Sequence, residues 1–208
     1  MSSKRFTKIK CPFCDTEQDF EYYSSVNVTM SPDLKHTAMK GELNLKECNN
    51  CQKEINVVSG FLYHDMEKKL MINFKTTDEE SDFENSDITE ELKTQGYIFR
   101  IVNSIPDLAE KILIFDNNLN DKVISDFKNN FIKILPDLEG VKMNLIFKKI
   151  DKGFFSTKIV FAFFSHVDQI MEFKIGTKKL SQSQRQDLFN LDILRNQGWL
   201  FVDNYSTS

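Results

Sequence analysis

The sequence is poor in glycine and proline, and it has no long apolar run. Seven glycines and four prolines among 208 residues exclude collagen-like and proline-rich classes. No segment approaches about 18 consecutive uncharged apolar residues, so the sequence predicts no membrane span. The most apolar run, Ile159–Phe164, has the length of a strand. The first ten residues lack the apolar stretch of a signal peptide, so we expect a cytoplasmic protein whose cysteines form no structural disulfides.

The usual catalytic motifs are also missing. The sequence contains no phosphate-binding loop, no Gly-x-Gly-x-x-Gly after a predicted strand, no Gly-x-Ser-x-Gly and no His-Glu-x-x-His. Its many carboxylates are expected on solvated helix surfaces. Among three dispersed histidines, only His64, beside Asp65, resembles a general base with its orienting carboxylate. Adjacent strand residues point to opposite faces, so we predict a non-enzymatic protein and keep a site at His64 and Asp65 as an alternative.

Charge is distributed unevenly along the chain. The net charge is −4, but residues 76–140 carry six basic and 15 acidic residues, a net charge of −9. Most of this excess lies in Thr76–Glu91, which has eight carboxylates and no basic residue. Such a segment has little apolar surface to bury. We therefore predict an acidic linker at 76–86 between domains at 1–75 and 87–208, with a dock for a basic partner as the alternative use of that segment.

Four cysteines in two pairs give the strongest chemical signal. Cys11-Pro-Phe-Cys14 and Cys48-Asn-Asn-Cys51 are separated by 33 residues. Zn²⁺ prefers four tetrahedral sulfur ligands, and a two-residue gap lets one tight turn aim both thiolates at the same ion. Strand-like sequence precedes and follows each pair, which is typical of a zinc ribbon. We therefore predict one structural zinc ion bound by Cys11, Cys14, Cys48 and Cys51.

Two other uses of the cysteines are open to the sequence. A Cys-Pro-x-Cys pair forms a redox centre when its first thiol lies at a helix N-terminus. Cys14 is instead followed by strand-like sequence, and a redox role leaves the second pair unexplained. A catalytic zinc site keeps one coordination position for water, which a fourth cysteine would fill. Both alternatives are therefore less favoured than a structural metal.

The remaining patterns predict an α+β fold. Between the pairs, Ser31–Gly41 predicts a short helix, with Ser31 as N-cap, Pro32 in the first position and Gly41 after the end. The expected architecture is a zinc-ribbon-type β module with this helical insertion, followed by helices packed on an antiparallel sheet. Further helices are predicted near 88–94, 105–116, 120–135 and 183–196, and further strands near 97–102, 141–147, 155–164, 171–175 and 199–202.

Several short segments together carry a family resemblance. They are Cys11–Cys14, Gly41–Leu45, Cys48–Cys51 and Tyr63–Met66, joined by Leu108–Ile112 and Asp121–Ile124. These segments resemble the bacterial CpXC family, named for its two cysteine pairs, over roughly residues 8–130. The resemblance implies a zinc-binding module and supplies no catalytic residues. The sequence departs from it at Asn49, which replaces a proline, and at Asp15 and Gln52, which replace the glycine frequent after such pairs.

These observations favour a zinc-binding protein that acts as a protein-interaction or scaffold module, with a protein as its expected partner. The alternative is a nucleic-acid or transcription-associated zinc ribbon. It would use Lys4, Arg5, Lys8 and Lys10 before the first pair, together with Lys142, Lys148, Lys149, Lys152 and Lys158. The carboxylates at 15–21 and the acidic middle of the chain would repel phosphate, so we expect no nucleic-acid partner. The sequence predicts no oligomeric state.

Overall fold

The computed structural model describes residues 2–76, 86–133, 145–154, 156–164 and 170–202. The chain divides into two compact units, Met1–Ala109 with Asn196–Leu200, and Glu110–Arg195 with Phe201–Ser208. The strands are β1 (Ser3–Lys10), β2 (Glu17–Asn27), β3 (Leu45–Glu47), β4 (Glu54–Asn56), β5 (Phe61–Asp65), β6 (Leu70–Phe74), β7 (Ile98–Val102), β8 (Leu145–Lys152), β9 (Thr157–Phe164), β10 (Ile170–Gly176) and β11 (Leu200–Phe201). The helices are α1 (Asp33–Lys40), α2 (Asp87–Thr94), α3 (Ile105–Asp116), α4 (Asp121–Lys133) and α5 (Gln182–Asp187).

A six-stranded sheet in the order β1-β2-β5-β6-β7-β11 organises the first unit. β1 with β2 and β5 with β6 are antiparallel, whereas β2 with β5 and β6 with β7 are parallel. Every residue of β6 and β7 is buried. Strands that are buried along their whole length are typical of the centre of a sheet that is covered on both faces. The hairpin of β3 and β4 forms a separate two-stranded sheet.

The division between the units differs from the predicted boundary at 76–86. β6 and β7 lie on either side of that segment, yet they pair in parallel from Leu70 opposite Ile98 to Phe74 opposite Val102. The two sides of the acidic segment therefore belong to one sheet, and the units divide after Ala109. The low apolar content of the acidic segment predicts residues that favour solvent, but it does not predict a domain boundary. The sheet continues after that segment because β7 is buried beside β6. Residues 77–85 of the predicted linker lie outside the described residues.

One face of the six-stranded sheet is covered by α2 and by the segment before β11. Leu62, Met71, Tyr97 and Phe99 form a buried cluster against which Leu92 and Trp199 pack. The Phe99 and Trp199 ring centroids lie 5.0 Å apart in an edge-on arrangement. Ser86 begins α2 as its N-cap and accepts a hydrogen bond from the backbone N–H of Thr89.

The second unit packs helices on an antiparallel sheet, as the sequence predicts. β8, β9 and β10 form this sheet in the order β10-β9-β8. Side chains from α3, α4, β8 and β9 join Leu180 and Leu188 in one buried cluster: Ile114, Leu119, Val123, Ile124, Phe127, Leu145, Phe147, Ile159 and Phe161. The α+β class is therefore confirmed, whereas the zinc-ribbon assignment stays a prediction. The part of the predicted strand at 141–144 lies outside the described residues.

Two ion pairs are buried within the second unit. Lys128 Nζ lies 2.7 and 2.9 Å from the carboxylate oxygens of Glu110, which also accepts from the backbone N–H of Phe147. Lys111 Nζ lies 2.9 Å from Asp121 Oδ2. All four charged side chains are 3% exposed or less. An uncompensated buried charge costs several kcal/mol, so each pair constrains the position of α3 against α4.

Of two helices predicted from the sequence, the structure contains the one before Gly41 but not the one at 183–196. α1 lies inside the predicted segment, and Gly41 ends it with φ 71°, although Pro32 rather than Ser31 occupies the N-cap. The predicted helix at 183–196 is wrong, because α5 ends at Asp187 and a separate 3-10 turn covers Asp192–Leu194. The leucines at 188, 191 and 194 are three residues apart, and this spacing is compatible with an α-helix and with 3-10 turns. None of the helices in the described ranges is long and apolar enough to cross a membrane.

The pairing of β6 with β7 predicts how the chain behaves when it is cut within 77–85. We expect the fragments to stay together after cleavage at a protease site inserted there, because both strands are buried in one sheet. Size-exclusion chromatography without denaturant should give one peak that contains both fragments, and urea should separate them. Separation of folded fragments in native buffer would contradict the observed division and favour the boundary predicted from charge.

Candidate metal centre

The structure brings the four predicted cysteines together. Their Sγ atoms all lie within 4.8 Å of one another. Cys11 and Cys51 Sγ are 3.7 Å apart, and so are Cys14 and Cys48 Sγ. These distances far exceed the S–S bond of a disulfide, about 2 Å. Each close contact joins one cysteine of the first pair to one of the second, so the site is built from both turns together.

Each cysteine pair lies in the turn of a hairpin, and the two turns have the same hydrogen bonds. In the turn between β1 and β2, the backbone N–H of Cys11 donates to Thr16 O, and that of Asp15 donates to Cys11 O, both at 2.9 Å. The same bonds recur between β3 and β4, from Cys48 to Lys53 O at 2.9 Å and from Gln52 to Cys48 O at 3.0 Å. Residues 11–16 and residues 48–53 therefore form the same kind of turn, and each turn carries two of the cysteines.

The residue after each pair has a left-handed backbone. Asp15 has φ 56° and Gln52 has φ 60°, at the two positions where glycine is frequent in the family that the sequence resembles. A side chain in this region costs about 1–2 kcal/mol, and Asp tolerates it better than most residues. Both turns keep the shape that glycine would favour, and the second turn carries the larger strain because it holds Gln52.

Hydrogen bonds to sulfur favour thiolates in part of the cluster. The hydroxyl and backbone N–H of Thr16 lower the pKa of Cys14 to about 6. Backbone N–H groups of Cys51 and Asn50 lower the pKa of Cys48. The backbone N–H of Lys53 also favours the Cys51 thiolate, but burial and the three neighbouring sulfur atoms outweigh it and raise the pKa of Cys51 to about 11. Without a cation, the cluster therefore resists carrying four negative charges.

Residues other than the four cysteines also hold the two turns to each other. Asn50 Nδ2 donates to Thr16 Oγ1 at 3.1 Å, and Thr16 Oγ1 lies 3.4 Å from Cys14 Sγ. The backbone N–H of Asn49 donates to Gln18 Oε1 at 3.0 Å. Sequence reasoning missed Thr16, Gln18 and Asn50 as positioning residues. The only available signal was their place beside the cysteines, since the contacts join segments more than 30 residues apart.

The donor set fits a tetrahedral metal ion. A Zn–S bond of about 2.3 Å implies sulfur atoms about 3.8 Å apart in a regular tetrahedron, and two of the observed separations are 3.7 Å, with all four sulfur atoms within 4.8 Å of one another. Cys11 and Cys48 are buried, and Ile9, Ile55 and Val57 pack around the cluster. β2 follows the first pair directly, so Cys11 does not stand at the helix N-terminus that redox Cys-Pro-x-Cys chemistry uses. Four cysteines compatible with a metal site therefore lie together, with a small apolar shell.

His64 and Asp65, the alternative catalytic residues, take separate partners. His64 Nε2 lies 3.2 Å from the Tyr97 hydroxyl, and burial lowers the pKa of His64. Asp65 accepts from the backbone N–H of Lys68 at 3.0 Å and lies 3.8 Å from Lys35 Nζ. The two side chains follow the strand alternation predicted for β5. The described contacts assign His64 to the buried cluster and Asp65 to the turn before β6.

The basic residues of the nucleic-acid alternative are partly matched by acids. Lys4 Nζ lies 2.8 Å from Glu21, and Lys8 Nζ lies 3.6 Å from Glu17, both across the β1–β2 hairpin. On the second sheet, Lys148 Nζ lies 3.0 Å from Glu172. Arg5, Lys10, Lys149, Lys152 and Lys158 are also described, whereas Lys142 lies outside the described residues. These ion pairs reduce the positive potential that phosphate would meet.

The strained turn after the second cysteine pair gives a stability prediction. Gln52→Gly should stabilise the protein by about 0.5–1 kcal/mol, because relief of the left-handed strain exceeds the entropy that glycine adds to the unfolded chain. Asp15→Gly should give a smaller gain, since Asp adopts this conformation more readily. Gln52→Ala is the matched control and should change little. Urea unfolding in one buffer measures all three, and a destabilised Gln52→Gly variant would contradict the strain argument.

Comparison with known proteins gives one match. The family model described as CpXC protein matches residues 9–128, which include all four cysteines and both buried ion pairs. The search of curated proteins and the search of solved structures return no match. The matched region covers more than half of the 208 residues and contains both cysteine turns. The chain therefore belongs to the CpXC family.

Proposed function

We propose that Cys11, Cys14, Cys48 and Cys51 bind one structural zinc ion and that the protein is a non-enzymatic interaction module of the bacterial cytoplasm. The observation that carries the proposal is the convergence of four Sγ atoms within 4.8 Å on two matching turns. Four thiolates complete a tetrahedral zinc shell and leave no position for water or substrate. The bound ion supplies folding free energy rather than a reactive centre.

The hairpin of β3 and β4 depends most on the metal. It forms an isolated two-stranded sheet, and such hairpins are only marginally stable in water. Asn44 ties its base by accepting from Tyr23 N–H at 2.8 Å and donating to Val57 O at 3.1 Å. At the other end, the links include Cys48 and Cys51, the polar contacts of Asn49 and Asn50, and Lys53, whose Nζ lies 4.8 Å from the Phe13 ring centroid. A zinc ion would fix this end of the hairpin to the turn between β1 and β2.

A protein is the partner that the surface of this module favours. Phe13, at the first cysteine turn, is 54% exposed, and Lys53 Nζ lies 4.8 Å from its ring centroid. The acidic residues 76–91 would attract a basic protein surface and speed its encounter with the module. The nucleic-acid alternative draws on the described lysines, but Glu21, Glu17 and Glu172 already pair with three of them.

Metal analysis tests the zinc site. We expect the purified protein to hold one zinc ion per chain, and Cys48→Ser to lose most of it because three ligands leave the shell open. Asn49→Ser, in the same turn but with no ligand atom, should retain the metal. Amide exchange should show that metal loss exposes 45–56 while β5, β6 and β7 stay protected. A zinc-free wild-type protein, or an iron-containing coloured one, would contradict the proposal.

Binding measurements separate a protein partner from a nucleic acid. The full chain should shift neither DNA nor RNA at physiological salt, while a pull-down from the native host should retain a defined protein. The matched bait carries Asn or Gln at the five carboxylates of 78–84 and should capture less of that protein, because steering by the acidic segment is lost. Micromolar, salt-sensitive nucleic-acid binding with an empty pull-down would reverse the order of the two hypotheses.

A further inference from the structure

The second unit contains a cavity that lies apart from the cysteine cluster. It has a volume of about 690 Å³ and is formed by the end of α4, the end of β10 and the turn that leads into α5. Its apolar lining consists of Phe127, Phe131, Ile175 and Leu180. Pockets that bind small molecules usually enclose about 300–1,000 Å³ and are mostly apolar with a few polar groups. The cavity therefore has the size and lining of a small-molecule site.

Packing and hydrogen bonds fix both walls of the cavity. On one side, the Phe127 ring stacks on Phe161 with centroids 5.7 Å apart, and Phe131 meets Phe173 at 6.1 Å. On the other side, Ser181 and Gln184 form a capping box, with hydrogen bonds of 3.0 and 3.2 Å. Walls that are ordered before binding lose little conformational entropy when a ligand enters.

Gly176 leaves open space in the lining of the cavity. It lines the cavity, and a Cβ built on its backbone would meet no atom within 4 Å. Its φ of −65° and ψ of 135° suit any residue. Neither backbone conformation nor packing requires glycine here, and a larger residue would occupy the open space.

The polar rim carries unbalanced positive charge. The lining residues include Lys174 and Lys179 but no carboxylate. Lys174 Nζ lies 3.1 Å from Asp151, so its charge is matched. Within the described ranges, the side chain of Lys179 has no ion-pair or hydrogen-bond partner. One cation at the edge of an apolar cavity is complementary to a ligand with an apolar body and one anionic head group.

We propose that this cavity binds a small amphipathic anion, such as a medium-chain carboxylate, with its apolar body against Phe127, Phe131 and Ile175 and its head group at Lys179. The proposal goes beyond the interaction module and does not depend on the metal. It gives the second unit a ligand-binding role of its own. The site lies wholly within the described residues of that unit.

Calorimetric titration of the full-length, metal-loaded protein tests the proposal. The probe is dodecanoate, kept below its critical micelle concentration, and the comparison ligands are dodecanol and acetate. We expect saturable binding of one dodecanoate per chain, weaker binding of dodecanol by about three- to tenfold, and no measurable binding of acetate. The alcohol reports the apolar contribution, and its difference from dodecanoate reports the charge.

Two variants with matched controls locate the bound ligand. Lys179→Gln should weaken dodecanoate binding by about three- to tenfold and leave dodecanol unchanged, whereas Lys178→Gln, an exposed neighbour outside the lining, should change neither. Gly176→Leu should weaken binding of both ligands by about tenfold, because the added side chain takes up part of the cavity. Gly198→Leu is its control, because Gly198 also has open space around it and lies outside the cavity.

The titrations decide whether the cavity is the binding site for dodecanoate. Weaker binding of both ligands by Gly176→Leu, with an unchanged thermal melt, supports it, and selective weakening in Lys179→Gln supports the head-group position. Absence of saturable dodecanoate binding overturns the proposal. It is equally overturned if dodecanoate binds the Gly176→Leu variant as tightly as the wild type, since the ligand then lies elsewhere. Equal affinity for dodecanol and dodecanoate would overturn the role of Lys179.

Discussion

Four thiolates can occupy one small site only if a cation balances their charge, and this constraint governs how the two cysteine turns are held together. Hydrogen bonds from Thr16 favour the Cys14 thiolate, whereas the surrounding sulfur atoms and burial oppose ionisation of Cys51. The donors come from two turns that are 33 residues apart in the sequence. Only a few apolar side chains surround them. On our account, zinc therefore supplies the attraction that a small apolar cluster cannot supply, and its binding energy becomes folding energy.

The two cysteine turns differ in how the rest of the chain supports them. The first lies between β1 and β2, and β2 pairs with β5 beside the buried strands of the six-stranded sheet. The second lies on the separate β3–β4 hairpin, which Asn44 anchors at its base. Under the proposed function, a metal ion at the cysteine cluster would hold the β3–β4 hairpin to the first turn. Phe13 lies exposed at the first turn, and four cysteine ligands would leave no open coordination position, which is why we propose recognition rather than catalysis.

The sequence predicted the elements whose shape depends on a few neighbouring residues. The cysteine turns and α1 follow from spacing, proline and glycine within about ten residues. The sheet was harder to predict because β6 and β7 pair in parallel across the acidic segment, and neither strand alone indicates its neighbour. Carboxylates expected on solvated helix surfaces include Glu110 and Asp121, which are buried with Lys128 and Lys111. Composition could not reveal those ion pairs, because each one joins a residue of α3 to a residue of α4.

X-ray absorption at the zinc edge of the purified, full-length protein tests whether zinc holds the two cysteine turns together. We expect a first shell of four sulfur atoms at about 2.3 Å and no nitrogen or oxygen ligand. That result would place all four cysteines on one closed ion. A shell with a nitrogen or oxygen donor would instead indicate an open or rearranged site, and absence of zinc from protein that retains its fold would show that the cysteine turns hold their positions without it.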